Sequence, residues 1–114
     1  MSTELTAVTA LRTALDAKFA KDIVIMELGA LSPIADYFVI ATGASAPQLA
    51  ALTQTAEETL KDHGLILRHT EGLQGSQSGK WVLLDFGGVI VHLFDKEARE
   101  YYNLERIWGD ARMV

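Results

Sequence analysis

The chain has no cysteine among its 114 residues. This excludes disulfide bonds, a thiol nucleophile and a thiolate metal site, and it is compatible with a reducing compartment. Long apolar runs are missing too, since none approaches the ~18 residues of a membrane-spanning helix. The N-terminal segment contains Glu4 and fits neither a secretory signal nor an Arg-rich transit peptide. We therefore expect a cytoplasmic protein without a membrane segment.

Basic residues are fewer than acidic residues. The chain has 10 Lys and Arg against 15 Asp and Glu, a formal net charge of −5. Because Lys and Arg drive binding to phosphate backbones, we expect no direct nucleic-acid binding. A basic protein would be attracted instead, although a modest negative charge also serves solubility.

The remaining composition is that of an ordinary globular domain. Hydrophobic residues make up 49% of the chain and charged residues 22%. A chain of this length buries about two-thirds of its unfolded surface. Since no repeat or linker interrupts it, we predict a single domain over residues 1–114.

Apolar periodicity predicts the order of elements along the chain. Spacings of three and four predict a first helix over 3–19, and β-branched apolar runs predict strands over 23–28 and 36–42. Ser45 and Gln48 form a capping-box pattern that opens a second helix, which ends before Gly64. A third strand is expected over 65–70, and the Gly-rich segment 71–79 reads as a loop.

The last third reads as a hairpin followed by a helix. Gly87-Gly88 is a two-residue turn signal, which pairs Phe86 with Val89. One face of the hairpin is then entirely apolar, whereas the other is mixed. The apolar face comprises Val82, Leu84, Phe86, Val89, Val91 and Leu93; the mixed face comprises Trp81, Leu83, Asp85, Ile90, His92 and Phe94. Asp95 is the expected N-cap of a last helix through about Tyr102.

The predicted order is therefore α-β-β-α-β-β-β-α. We predict an α/β (α+β) fold, with a single mixed five-stranded sheet and about three helices packed on it. The tail beyond Tyr102 is expected either to add a turn or to lie extended.

Few residues suggest catalysis. The 41–45 segment before the second helix is interpreted mainly as a cap, because it lacks the lysine of a P-loop. Asp85 is an isolated carboxylate, and His92 is flanked by apolar residues, as a structural histidine would be. We expect no enzyme activity, no metal and no cofactor; a nucleotide-binding enzyme using 43–45 and Asp85 is the alternative. Trp81 is interpreted as a partner contact, although a core position is also open to it, while Trp108 is assigned to neither.

Two stretches resemble a known family. DYFVIATGAS and WVLLDFGGVIVHLFDKEAREYYNLERIWGDA are similar to the ribosomal silencing factor family, RsfS or iojap-like. The resemblance covers nearly the whole chain. It implies a nucleotidyltransferase-like fold and a non-enzymatic translational repressor. Such proteins bind the large ribosomal subunit through its basic protein number fourteen at the intersubunit face and block subunit joining under nutrient limitation. The resemblance also implies a possible homodimer.

The same resemblance implies the residues of the contact. Trp81, Asp85 and Phe86 correspond to the family's tryptophan-aspartate strand, although strand pairing places Phe86 on the apolar face. The Tyr-Asn-Leu-Glu stretch is a second expected contact. The full partner-binding prediction comprises Trp81, Leu83, Asp85, Phe86, His92, Tyr102, Asn103 and Glu105.

Overall fold

The computed structural model describes residues 3–72 and 81–114. Its helices are α1 (Thr3–Ala17), α2 (Ala46–Asp62), α3 (Lys96–Tyr102) and the single turn α4 (Leu104–Ile107). Its strands are β1 (Lys21–Glu27), β2 (Tyr37–Thr42), β3 (His69–Glu71), β4 (Trp81–Asp85), β5 (Val89–Phe94) and β6 (Arg112–Met113). A short 3₁₀ turn, Gly29–Leu31, lies between β1 and β2.

The described strands form one mixed sheet in the order β3-β4-β5-β2-β1-β6. β2 and β5 are parallel, and the other neighbouring pairs are antiparallel. The mixed sheet is confirmed, but its predicted count of five strands is wrong. The sixth strand comes from the tail, where Met113 pairs with Met26 of β1. Two residues are too few to show the alternation by which a strand is read from sequence.

The predicted hairpin is confirmed in its register. Leu84 pairs with Val91 and Val82 with Leu93. The Phe86 N–H donates to the Val89 carbonyl at 2.9 Å, closing the turn. Gly87 adopts φ +85°, the left-handed conformation for which glycine is suited.

The helix caps follow the predicted chemistry with one displacement. Ser45 Oγ accepts the Gln48 N–H at 3.2 Å, and Asp95 accepts the Ala98 N–H at 2.7 Å. In a capping box the Gln48 side chain would accept the N–H of the cap residue, Ser45. Here it accepts the N–H of Ala44, one residue earlier.

The third strand is shorter than predicted. It spans His69–Glu71 instead of 65–70, because its partner β4 ends at Asp85, opposite His69, where the hairpin turns. The pairing ends with Arg68, whose N–H donates to the Asp85 carbonyl at 2.7 Å, and the residues before it lie beyond the end of β4. The predicted loop 71–79 lies mostly outside the described residues.

One side of the sheet is covered by α1 and α2. All six apolar residues predicted for one hairpin face lie in this layer, which we call the helical layer. Its side chains are mostly aliphatic, and Leu11, Leu52 and Leu84 are fully buried. This layer supplies the larger of the two hydrophobic clusters among the described residues.

The other side of the sheet is rich in rings, and we call it the aromatic face. Phe38, Phe94, Trp81 and Trp108 pack there together with Ala98 of α3 and Leu104 of α4. Trp108, which the sequence left unassigned, contacts Phe38 edge-on at 5.8 Å between ring centroids. None of the described helices combines the length and apolar character that a bilayer span requires.

Candidate functional site

Trp81 is the centre of a ring cluster at the start of β4. Its ring centroid lies 4.5 Å from that of Tyr102 and 5.4 Å from that of Phe94. Its indole N–H donates to Nδ1 of His92 at 3.2 Å. The indole is half-buried, so its neighbours hold one side of the ring while the other side remains accessible to solvent. Fixed aromatic surface of this kind loses little entropy when a partner covers it.

His92 supports this cluster from beneath. Because Nδ1 accepts the indole hydrogen, the neutral ring carries its own hydrogen on Nε2. Nε2 is the one buried side-chain nitrogen or oxygen without a hydrogen-bond partner in the described part of the chain. Burial lowers the pKa of His92 to about 4. At neutral pH His92 is therefore an uncharged packing residue.

A groove of about 510 Å³ opens beside Trp81. Among the described residues, every charged side chain that lines it is acidic. The lining comprises Glu71, Gly72, Trp81, Leu83, Asp95, Glu97, Ala98, Tyr101 and Tyr102. Tyr101 is 80% exposed and Tyr102 40% exposed, so the rings are accessible. We call this feature the acidic aromatic groove.

Three predicted contact residues meet in this groove. Trp81 and Leu83 come from alternate positions of β4, and Tyr102 reaches them from the end of α3. Glu71, Glu97 and Tyr101 were missed by the sequence reasoning. Tyr101 and Glu97 are exposed residues of a short helix, where charge and aromatic content give no directional signal.

Asp85 has a structural bond at the far end of β4. Its Oδ1 accepts the Gly87 N–H at 2.8 Å, so the carboxylate braces the hairpin turn. The residue is half-buried and does not line the groove. Asp85 is thus on the aromatic face, as pairing predicts, but separated from the groove contacts.

Phe86 requires a correction. It is only 4% exposed and packs in the helical layer, on the side of the sheet opposite Trp81. Strand alternation decides this orientation, as the pairing predicts and against the resemblance. His92 is likewise 4% exposed. Neither side chain offers surface to a partner, so both are removed from the contact set.

Asn103 and Glu105 lie apart from the groove. Both line a separate depression with the start of β1. Asn103 adopts φ +41° as it ends α3, and Glu105 accepts a hydrogen bond from Nε of Arg99 at 2.8 Å. Arg99 also donates from Nη1 to Oγ1 of Thr42 at 2.9 Å. The carboxylate of Glu105 is therefore already engaged within the chain.

Within the described residues, metal ligation has no evident place. The residues in 3–72 and 81–114 contain no group of three or more His, Asp or Glu side chains arranged to hold a metal ion. The aromatic and acidic surface is suited to holding a cationic side chain.

A family model described as "Ribosomal silencing factor during starvation", RsfS, matches residues 2–114. The chain belongs to the RsfS family. The ribosomal silencing factor RsfS of Bacillus subtilis is 40% identical over 101 residues, which are 89% of this chain and 83% of that protein. This confirms the family resemblance read from the sequence.

More distant relatives and solved structures agree with this RsfS assignment. A Chromobacterium violaceum protein has a crystal structure with a TM-score of 0.85 and 32% identity, covering 96% of this chain and 88% of that one. A mouse relative is named "Mitochondrial assembly of ribosomal large subunit protein 1". It is 30% identical over 89 residues, 78% of this chain and 39% of the mouse protein.

Proposed function

We propose that this RsfS-family chain represses translation by binding the large ribosomal subunit. The contact is its basic protein number fourteen at the intersubunit face, and the bound chain sterically blocks subunit joining under nutrient limitation. The acidic aromatic groove is the observation on which the proposal rests. It combines a fixed, half-open indole with a rim whose described charges are all negative.

The groove chemistry favours a cationic partner. A Lys or Arg side chain laid over Trp81 gains a cation–π contact and meets Glu97 at the rim. The tyrosines beside it supply contact area with few rotatable bonds. Asp85 adds negative charge farther along the same face, although its bond to the turn leaves it a secondary role.

The whole-chain charge acts in the same direction. A net charge of −5 draws a basic ribosomal protein toward this chain and disfavours a direct approach to RNA phosphates. The name of the mouse relative links that protein to assembly of a large ribosomal subunit, which supports the choice of subunit here.

Co-sedimentation with purified large subunits tests the proposal. We expect Trp81→Ala to weaken binding by about 2–4 kcal/mol, because truncation of a central aromatic anchor has an effect of this size. Glu97→Lys should also weaken it, since it reverses charge at the groove rim. Trp81→Phe should be intermediate, because it keeps a ring but loses the hydrogen bond to His92.

Glu58→Lys is the matched control. It makes the same charge change on an exposed position of α2, away from the aromatic face, and should bind like the wild type. Circular dichroism checks that each variant is folded. Wild-type binding by both folded Trp81→Ala and Glu97→Lys would refute the groove as the docking site.

A further inference from the structure

A second crevice lies where the two parallel strands end. β2 and β5 are neighbours, and Thr42 lies beside Phe94 at their carboxyl ends. The chain leaves these ends in opposite directions. α2, which follows β2, packs in the helical layer, whereas α3, which follows β5, packs on the aromatic face. In open α/β sheets, ligands bind in the crevice that such a divergence creates.

This crevice has a volume of about 440 Å³, within the range of small-ligand sites. It is lined by Lys21, Asp22, Thr42, Gly43, Ala44, Lys96, Arg99 and Glu100. None of these residues lines the acidic aromatic groove. Three cations therefore gather at one point of a chain whose net charge is negative.

Three separate elements bring these cations together. Lys21 starts β1 and pairs directly with Thr42. Lys96 and Arg99 are three residues apart on α3, which places them on the same side of that helix. Lys96 is exposed, whereas the Arg99 side chain is only 11% exposed.

Arg99 is oriented in advance of any ligand. Nε bonds to Glu105 and Nη1 bonds to Thr42, so the plane of the guanidinium is fixed while the group still lines the crevice. A guanidinium has five N–H donors, and these two bonds use two of them. A rigid fork of this kind matches the oxygens of phosphate.

Backbone amides contribute little here. The N–H groups of Ala44 and Gln48 are already bonded to the side chains of Gln48 and Ser45. Recognition therefore falls to the cationic side chains. Asp22 and Glu100 offset part of their charge, so an anion must be held by directed hydrogen bonds from the cations as well as by net positive charge.

We propose that this crevice binds a phosphate group, held by Lys21, Lys96 and Arg99. Phosphate has the charge and the multiple acceptor oxygens that this set of donors requires. The group can belong to a small phosphorylated molecule or to an RNA backbone. The site is independent of the docking groove, so the proposal does not rest on the proposed function.

Amide NMR titration with inorganic phosphate at constant ionic strength, with chloride as the balancing anion, tests the site. We expect saturable shifts in residues 42–44 and 96–100. A Lys21→Ala/Lys96→Ala variant should bind at least tenfold more weakly. Lys61→Ala, which removes an exposed cation at the end of α2, should bind like the wild type. Trp81→Ala should retain the shifts even if it loses the ribosome.

Two further titrations separate the sources of phosphate. Saturation by adenosine monophosphate with no effect of a short single-stranded RNA supports a small phosphorylated ligand. Displacement of phosphate by that RNA supports a backbone contact. Shifts that do not saturate, that chloride reproduces, or that persist unchanged in the Lys21→Ala/Lys96→Ala variant would overturn the site.

Discussion

The two faces of the sheet share the same strands but are covered by helices of different length. α1 has 15 residues and α2 has 17, and together they cover a mostly aliphatic surface. On the aromatic face, α3 has 7 residues and α4 has 4. These short helices leave Trp81 and Leu83 half-exposed.

This difference separates stability from recognition. Fully covered aliphatic side chains contribute through burial and packing, which no partner can increase. Half-covered rings still expose apolar area, and burying that area under a partner stabilises the complex. Under the proposed function, one strand, β4, serves both purposes through alternate residues.

Adjacent leucines of β4 provide the sharpest test of this comparison. Leu84 is fully buried in the helical layer, whereas Leu83 is half-buried at the groove. We expect Leu84→Ala to lower the free energy of unfolding by about 2–5 kcal/mol, measured by urea denaturation. Leu83→Ala should cost clearly less stability but should weaken large-subunit binding. Equal stability losses in the two variants would show that both faces are equally sealed.

The pH dependence of stability tests how dry the aromatic face is beneath Trp81. His92 has a folded pKa of about 4 against an ordinary value of 6.5, so above pH 6.5 both folded and unfolded states hold it neutral. As pH falls from about 6.5 toward 4, His92 binds a proton in the unfolded state but not in the folded state. Stability is lost across this window, to a total of about 3 kcal/mol.

Urea denaturation of wild type and His92→Gln over pH 4–7 isolates this contribution. The variant keeps a polar side chain at the site but does not titrate, and other carboxylates affect both proteins alike. As pH falls, the free energy of unfolding should decrease more for the wild type than for the variant. Parallel curves would mean that His92 is hydrated.

Much of the comparison was predictable from sequence because it depends on local rules. Alternation along the hairpin identified both faces, and Gly87-Gly88 set their register. The same rule predicted that Phe86 is buried in the helical layer, which its position in the family's motif did not. Strand alternation is fixed by backbone geometry, whereas a motif position does not state which way a side chain points.

The parts that sequence did not predict depend on distant contacts. β6 forms only because the tail returns to β1. Arg99 and Glu105 are six residues apart, which is not a helical contact spacing, and the left-handed Asn103 between them brings them together. The groove likewise joins β3, β4 and α3, and no pattern within one segment reveals it.

The hairpin turn connects the two strands that carry both faces. Substitution of its first glycine, Gly87, should cost more stability than substitution of its second, Gly88. Gly87 has φ +85°, and an added Cβ would lie 2.9 Å from Cζ of Arg68. We expect Gly87→Ala to cost about 1–2 kcal/mol in urea denaturation, because alanine is strained in this conformation.

Gly88→Ala is the matched control for the turn. Its added Cβ would meet the far end of the Glu4 side chain, a carboxyl whose pKa is raised by burial and by its hydrogen bond and charge interaction with Asp36. Rotation of Glu4 relieves the contact but breaks its hydrogen bond to Asp36, so we expect a cost of about 0.5–1 kcal/mol. A larger loss for Gly88→Ala than for Gly87→Ala would contradict the assignment of strain to Gly87.

A further test concerns the pair of Arg99 and Glu105, which fastens the short helices to the sheet. The Arg99 and Glu105 side chains are 11% and 34% exposed, so solvent screens the pair only in part. A double-mutant cycle of Arg99→Ala and Glu105→Ala should give a coupling energy of about 1 kcal/mol in urea denaturation. Glu105→Gln should retain part of it, because an amide oxygen still accepts from Nε. Since Glu105 is engaged by Arg99 rather than free at the groove, Glu105→Gln should bind large subunits nearly as well as the wild type. A loss comparable to that of Trp81→Ala would instead make Glu105 a direct contact and extend the docking surface across the end of α3.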